Sequence, residues 1–274
     1  MSVCTIITGA GGSIGSAITR AIANEGRNVI MACRNITKDT PLCQQLNDEC
    51  RGTVTIMELN LASLDSVVTF AHRIQQEGIS VEALINNAGI MCKEYSTTDN
   101  GYEMTIGVNF IGTYLLTHLL LPMMQERGNI TFTTSLTRYI GKVDNKFFDL
   151  SASNYGRFKA YSRSKLATTI LTAHLARQLA PCNIHVNAAD PGIVNTGMIH
   201  MDAWFDPIAD RFFRPFISSP EKGAISALSA SASQVSGMIF NKNKYSSIPS
   251  QITNHKYQKW LINETHRRIA PWLK

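Results

Sequence analysis

The first 15 residues constrain the fold more than any other part of the chain. Residues 3–8 form a continuous apolar run, VCTIIT, which is typical of a strand buried on both faces. The glycine-rich turn Gly9–Gly15 follows at once, and apolar residues then recur at helical spacing until about Gly26. A dinucleotide-binding fingerprint requires this order, because glycines let the backbone approach a pyrophosphate at the helix N-terminus. The competing interpretation is an ordinary strand-to-helix turn that happens to be rich in glycine.

The same alternation of buried strands and helices continues through the chain. Helical periodicity covers residues 64–74, 102–124 and 160–180. We therefore predict an α/β fold, a three-layer doubly wound parallel sheet (Rossmann fold), in a single domain spanning residues 1–274. An aromatic-rich stretch at about 196–220 is expected to cover the substrate, unless it packs on the body as a loop. The further predicted strands are Asn28–Ala32, Thr53–Glu58, Ala83–Ile85, Asn129–Thr134, Asn183–Ala188 and Ser236–Phe240.

Composition excludes several classes of protein. The 274 residues are 44% hydrophobic and 17% charged, which is too apolar for disorder. The net charge of +6 comes from scattered Lys and Arg, so we expect no nucleic-acid partner. Six well-spread cysteines indicate a reducing compartment and no metal site. We find no signal peptide and no apolar run that approaches about 20 residues, so we expect a cytoplasmic protein without a membrane anchor.

A tyrosine and a lysine lie four positions apart in the predicted helix 160–180. The Tyr161 phenol and the Lys165 ammonium can therefore point the same way from one helical face. A nearby cation lowers the pKa of a phenol from its usual value of about 10. Tyr161 can then exchange a proton with an alcohol or carbonyl oxygen near neutral pH. Taken alone, such a pair is more often a solvated pair on a helix surface.

Arg34 ends the second predicted strand, at the edge where ligands bind in an open α/β sheet. An acidic residue at this place accepts a hydrogen bond from the ribose 2′-hydroxyl of NAD, whereas an arginine suits the 2′-phosphate of NADP. No Asp or Glu lies between Arg27 and Lys38. The pattern favours NADP(H) over NAD(H), unless Arg34 is only a solvated loop residue.

Three further features lie at or near the same edge. The fourth strand runs into Asn86–Gly89, where small residues let a flat ligand approach the backbone, or where an ordinary turn forms. Ser135 ends the fifth strand. Asn109 interrupts the apolar helix 102–124, as either a site residue or a buried hydrogen-bonding group.

Together these features resemble the short-chain dehydrogenase/reductase superfamily, from Val3 to about Leu261. The resemblance implies hydride transfer between nicotinamide C4 and a substrate carbon of a small carbonyl or alcohol. It also implies a homodimer or homotetramer. The motifs occur in the superfamily's order: the glycine turn, Asn86–Gly89, Asn109, Ser135, Tyr161 with Lys165, and Pro191-Gly192.

The resemblance implies a role for each matched position. Tyr161 is the general acid/base, and Lys165 lowers its pKa and holds the nicotinamide ribose. Ser135 polarises the substrate oxygen, and Asn109 holds a water in a proton relay. No metal is needed, because Ser135 and Tyr161 can stabilise the oxyanion. The implied cofactor-binding residues are Gly9, Gly11, Gly12, Ser13, Ile14, Gly15, Arg34, Asn60, Leu61, Asn87, Ala88, Gly89, Tyr161, Lys165, Pro191, Gly192, Ile193 and Thr196.

Several segments resemble the retinol-dehydrogenase-like and protochlorophyllide-reductase-like branch. They are Ala32-Cys33-Arg34, Asn86–Met91 and Gly237–Phe240. Tyr161 also follows Ser135 by 26 positions, a longer interval than most members carry. The resemblance to this branch implies lipophilic alcohols or carbonyls as substrates, with NADP(H) as cofactor.

The sequence departs from the superfamily's pattern at three places. Ser13 replaces the middle glycine of T-G-x-x-x-G-x-G, and the spacing of Gly9, Gly12 and Gly15 also matches the extended branch. Asn60 stands where an Asp commonly contacts adenine, and residues 136–160 are divergent. The primary hypothesis is an NADP(H)-dependent oxidoreductase of lipophilic carbonyls and alcohols. The alternatives are a nucleotide-sugar epimerase or dehydratase, and a non-catalytic NADP(H)-binding regulatory protein.

Overall fold

A computed structural model describes residues 2–192 and 219–273. One eight-stranded sheet runs through them in the order β3-β2-β1-β4-β5-β6-β7-β8. Strands β1 to β7 are parallel, and β8 is antiparallel to β7. The strands are β1 (Val3–Thr8), β2 (Val29–Cys33), β3 (Val54–Glu58), β4 (Ser80–Asn86), β5 (Met124–Thr133), β6 (His185–Ala189), β7 (Met238–Asn241) and β8 (Lys244–Ser247).

Helices cover both faces of this sheet. Successive residues of β1 point to opposite faces, so Ile6 packs with the helices on one face of the sheet whereas Ile7 packs with the helices on the other face. The predicted three-layer α/β fold is confirmed. The helices are α1 (Ser13–Asn24), α2 (Ile36–Glu49), α3 (Leu64–Gln76), α4 (Met104–Met123), α5 (Arg157–Gln178), α6 (Pro220–Ser231), α7 (Ser250–Thr253) and α8 (Gln258–Ile269).

The sheet is not entirely parallel, and its last strand differs from the prediction. We expected Ser236–Phe240 to be the final strand, but β8 follows β7 through a tight turn in which Lys242 has φ 55°. Every residue of β8 (KYSS) is exposed. An exposed edge strand needs no alternation of apolar and polar residues, so periodicity could not identify it.

Helix α2 also had no signal in the hydrophobic pattern. It contains Pro41 and buries only Cys43 and Leu46. Its start is fixed instead by Asn35, whose side-chain oxygen accepts a hydrogen bond from the Lys38 N–H at 2.9 Å. This N-cap places the first turn of α2 beside the end of β2.

Helix α4 passes through the middle of the core. It is π-helical over Gly107–Gly112, which places Asn109 in a widened turn. Gly112 is required there, since a Cβ would lie 2.3 Å from the Leu61 carbonyl oxygen. By length and composition alone α4 could cross a membrane, but 78% of its apolar window is buried within the protein. Thr, Asn and His interrupt this stretch, which is why we found no apolar run of that length.

Asn187 connects β6 to the segment that leads into β7. Its side chain is fully buried, donates to the Val235 carbonyl at 2.7 Å and accepts from the Met238 N–H at 3.0 Å. This amide side chain therefore supports the last parallel pairing of the sheet, together with backbone bonds such as the one from the Gly237 N–H to the Val186 carbonyl at 2.8 Å.

Asn187→Ala should lower the free energy of unfolding by about 2–4 kcal/mol, because a buried carbonyl and a buried N–H lose their partners. Urea unfolding measures this, with Asn241→Ala at the exposed end of β7 as the control. Equal losses in the two variants would contradict the bridging role of Asn187.

Candidate active site

A cleft of about 800 Å³ opens at the carboxyl ends of β1, β2 and β4. Most of the residues predicted to bind the cofactor line it. Four predicted residues do not line the cleft: Tyr161, Lys165, Pro191 and Gly192. Two others, Ile193 and Thr196, lie outside the described residues, and so does nearly all of the predicted substrate-covering segment. The predicted residues that line the cleft are Gly9, Gly11, Gly12, Ser13, Ile14, Gly15, Arg34, Asn60, Leu61, Asn87, Ala88 and Gly89.

The glycine turn is built for close backbone approach. Gly9 has φ 64°, and a Cβ at Gly15 would lie 2.3 Å from the Gly9 carbonyl oxygen. Gly12 is the N-cap of α1 and provides no side-chain cap, so amide groups at this helix end are left for a ligand. Ser13 has no positive φ, so a serine in place of the middle glycine causes no backbone strain.

Asn87 and Thr8 join the ends of β4 and β1. The Asn87 side-chain amide donates to the Thr8 carbonyl at 3.0 Å, and the Ala88 N–H donates to the Thr8 hydroxyl at 3.0 Å. The Asn87 amide group is therefore used within the protein. Asn60 is similar, since its side-chain oxygen accepts from the Ala62 N–H at 3.0 Å.

Asn109 connects α4 with α5 and with the loop after β4. Its side-chain amide donates to the Ile90 carbonyl at 2.9 Å and to the Ser164 hydroxyl at 3.1 Å. Its side-chain oxygen accepts from the Ile90 N–H at 2.8 Å. The backbone carbonyl of Asn109 accepts from the Thr168 hydroxyl at 3.3 Å.

Lys165 is buried beside the end of β5. Its ammonium donates to the Thr133 carbonyl at 2.8 Å and lies 5.5 Å from the centre of the Tyr161 ring. Burial lowers the pKa of Lys165 to about 8, and the negative charge of Asp190 opposes that shift. A Cβ at Gly89 would lie 3.4 Å from this ammonium, so the glycine brings the cleft against Lys165.

Tyr161 differs from the expectation. Burial raises its pKa to about 12, a hydrogen bond with Ser135 partly offsets this, and the charge of Asp190 raises it further. The net shift of this pKa is therefore opposite to the lowering that we expected from Lys165, and burial is its largest cause. Tyr161 is a protonated acid at neutral pH, and Ser135 and Lys165 lie beside it as predicted.

The family model for short chain dehydrogenases matches residues 3–203. The chain belongs to this family. It is therefore an oxidoreductase that acts on CH–OH and C=O groups, in a family that binds NAD(P)(H).

Relatives of known name identify the branch of the family to which the chain belongs. Human retinol dehydrogenase 14 is 34% identical over 252 residues, covering 85% of this chain and 75% of the relative. Human retinol dehydrogenase 13 is 32% identical over 281 residues, covering 97% of this chain and 84% of the relative. The chain belongs to the retinol-dehydrogenase-like branch.

Solved structures share the fold. An uncharacterized protein from Mycobacterium paratuberculosis has a TM-score of 0.78 and 26% identity, covering 98% of this chain and 93% of that one. L-sorbose reductase from Gluconobacter frateurii, solved with NADPH and L-sorbose, has a TM-score of 0.69 and 19% identity, covering 87% and 94%. At the lower identity the likeness concerns the fold alone.

This dehydrogenase carries a buried ion pair that no sequence pattern indicated. Arg138, on the turn after Ser135, contacts Asp190 at the end of β6, with 2.5 Å between Nη1 and Oδ2. The two side chains are 5% and 2% exposed. Asp190 also accepts from the Gly192 N–H at 3.0 Å, and Gly192 has φ 72°. The pair therefore ties the Ser135 turn to the Pro191-Gly192 loop.

Asp39 is the second missed residue. It lies in the first turn of α2 and lines the cleft with Arg34 and Lys38. Asp39 lies one position beyond the interval Arg27–Lys38, which holds no acidic residue. The N-cap at Asn35 was the available signal, because it starts a helix whose first turn returns to the cleft.

Arg138→Met should lower the free energy of unfolding by about 3–5 kcal/mol, because Asp190 would remain buried without its partner. Combining it with Asp190→Asn should recover part of the loss. Arg73→Met removes an exposed pair with Glu77 and should cost less than about 1 kcal/mol. Similar losses for Arg138→Met and Arg73→Met in urea unfolding would show that the buried pair is not a structural tie.

Proposed function

We propose that this dehydrogenase uses NADP(H) to interconvert lipophilic carbonyls and alcohols, with Tyr161 as the general acid/base. One observation carries the proposal. Gly89 borders the glycine-rich cleft and brings it within contact distance of the Lys165 ammonium, beside Tyr161 and Ser135. A nucleotide cleft and a proton-donating group therefore share one edge of the sheet.

The residues of the cleft fit a dinucleotide. Gly9 and Gly15 let the turn pack closely on itself and on the Ala88 loop, since a Cβ at either position would meet those atoms. The N-terminus of α1 at this turn suits a pyrophosphate. Arg34 and Lys38 provide two cations for a 2′-phosphate at the end of β2. The bound nicotinamide would supply or accept the hydride.

Tyr161 has the protonation state that carbonyl reduction requires. Its raised pKa keeps the phenol protonated, so it can donate to the substrate oxygen as negative charge develops there. Ser135 would stabilise the same oxygen through its hydroxyl, which hydrogen-bonds Tyr161 and accepts from the Thr137 N–H at 3.3 Å. Asn109, which joins α4 to α5 and to the loop after β4, would hold a water that resupplies the proton.

The surface next to Ser135 supports a lipophilic substrate. Leu136, Tyr139 and Ile140 are 55%, 58% and 72% exposed on the turn that follows Ser135. Relatives named retinol dehydrogenases share more than 30% identity with this chain. We therefore propose long apolar aldehydes, retinaldehyde among them, as the first substrates to test. The family does not favour the epimerase or dehydratase alternative, and turnover separates the enzyme from a non-catalytic NADP(H)-binding protein.

Tyr161→Phe should reduce NADPH-dependent reduction of retinaldehyde by roughly 100-fold or more, because the proton donor is lost. Cofactor binding, followed by NADPH fluorescence, should remain within about threefold of the unaltered protein. Tyr245→Phe, on the exposed β8, is the matched control. Normal turnover by Tyr161→Phe would refute the assigned role.

The pH profile tests Lys165 separately. The ammonium is protonated below its pKa of about 8 and neutral above it, whereas Tyr161 stays protonated to about 12. The kcat/KM for reduction should therefore fall as pH rises through about 8. A profile that stays flat well above that pH would contradict a catalytic requirement for charged Lys165.

A further inference from the structure

The end of the cleft at β2 carries an acidic side chain between two cations. Arg34 and Lys38 are exposed, whereas Asp39 is half-buried, and all three line the cleft. Asp39 as a whole residue is therefore less exposed than Arg34 and Lys38. A ligand group that enters here meets charges of both signs.

Packing against the glycine turn fixes the position of Asp39. A Cβ at Gly11 would lie 2.2 Å from the Asp39 carboxyl carbon and from its Oδ2, and 2.4 Å from its Oδ1. The carboxylate thus fills the space that a side chain at position 11 would take. Its negative charge also helps to raise the pKa of the buried Cys33 thiol at the end of β2, after burial itself. Asp39 is part of the cleft wall and not a freely solvated group.

We infer that Asp39 is a cofactor-selectivity residue that weakens the preference for a 2′-phosphorylated dinucleotide. The inference rests on the proposed function. A carboxylate accepts a hydrogen bond from a ribose hydroxyl but repels a phosphate monoester, and Arg34 and Lys38 act in the opposite sense. Because these charges oppose each other, both NADPH and NADH can bind, and their affinities differ less than they would with the two cations alone.

A purely structural role makes a different prediction. An acidic residue in the first turn of a helix interacts favourably with the helix dipole, so its loss lowers stability whichever cofactor is bound. Under a purely structural role, removing the Asp39 charge leaves the ratio of the NADPH and NADH affinities unchanged. The ratio therefore distinguishes selectivity from helix stabilisation.

The experiment is a fluorescence titration of the full chain with NADPH and NADH, at low and high salt. Asp39→Asn should raise the ratio of the NADH Kd to the NADPH Kd by about three- to tenfold at low salt, and by less at high salt. Asp48→Asn is the matched control, because it removes the same charge from an exposed position of α2 outside the cleft. It should leave the ratio unchanged.

An unchanged ratio in Asp39→Asn, or an equal change in Asp48→Asn, would overturn the inference and leave the proposed function standing. Failure of the unaltered protein to bind either cofactor would overturn both. Thermal unfolding checks that each variant is folded at the assay temperature. If Asp39→Asn is not, Asp39→Ser is measured against the same criterion.

Discussion

The buried ammonium of Lys165 is the group on which the proposed catalytic end of the structure depends. Only 3% of this residue is exposed, so its charge loses most of its hydration. The Thr133 carbonyl and the charge of Asp190 compensate. These two groups lie at the ends of β5 and β6, so retaining the charge requires both strands and α5 to keep their positions.

Hydrogen bonds and an ion pair near Lys165 fix the positions of further elements around the site. Ser164, next to Lys165 on α5, accepts a hydrogen bond from Asn109 on α4, and Asn109 in turn holds the loop after β4. On the other side, the Arg138–Asp190 pair joins the Ser135 turn to the loop after β6. The residues proposed to move the proton thus lie among buried polar contacts that join α4, α5, the Ser135 turn and the loops after β4 and β6, as a preorganised site requires.

The sequence predicted the parts of the fold that depend on local patterns. Buried parallel strands are continuous apolar runs, and the glycine turn is fixed by close backbone approach, so β1 and its turn could be read directly. The exposed strand β8 and the proline-containing α2 lack such patterns. Contacts between distant positions were also invisible: Arg138 and Asp190 are 52 positions apart, and no local spacing signals their pairing. The pKa of Tyr161 depends on burial, which only the three-dimensional structure shows.

The most direct test of the central claim follows the hydride itself. The full chain is incubated with retinaldehyde and NADPH that carries deuterium at nicotinamide C4, using the (4R) and (4S) labels in separate reactions, and the alcohol is analysed by mass spectrometry. The account predicts that one of the two labels, and not the other, places a single deuterium on the alcohol carbon. Binding of NADPH without a deuterated alcohol from either label, across apolar aldehydes of different lengths, would contradict it.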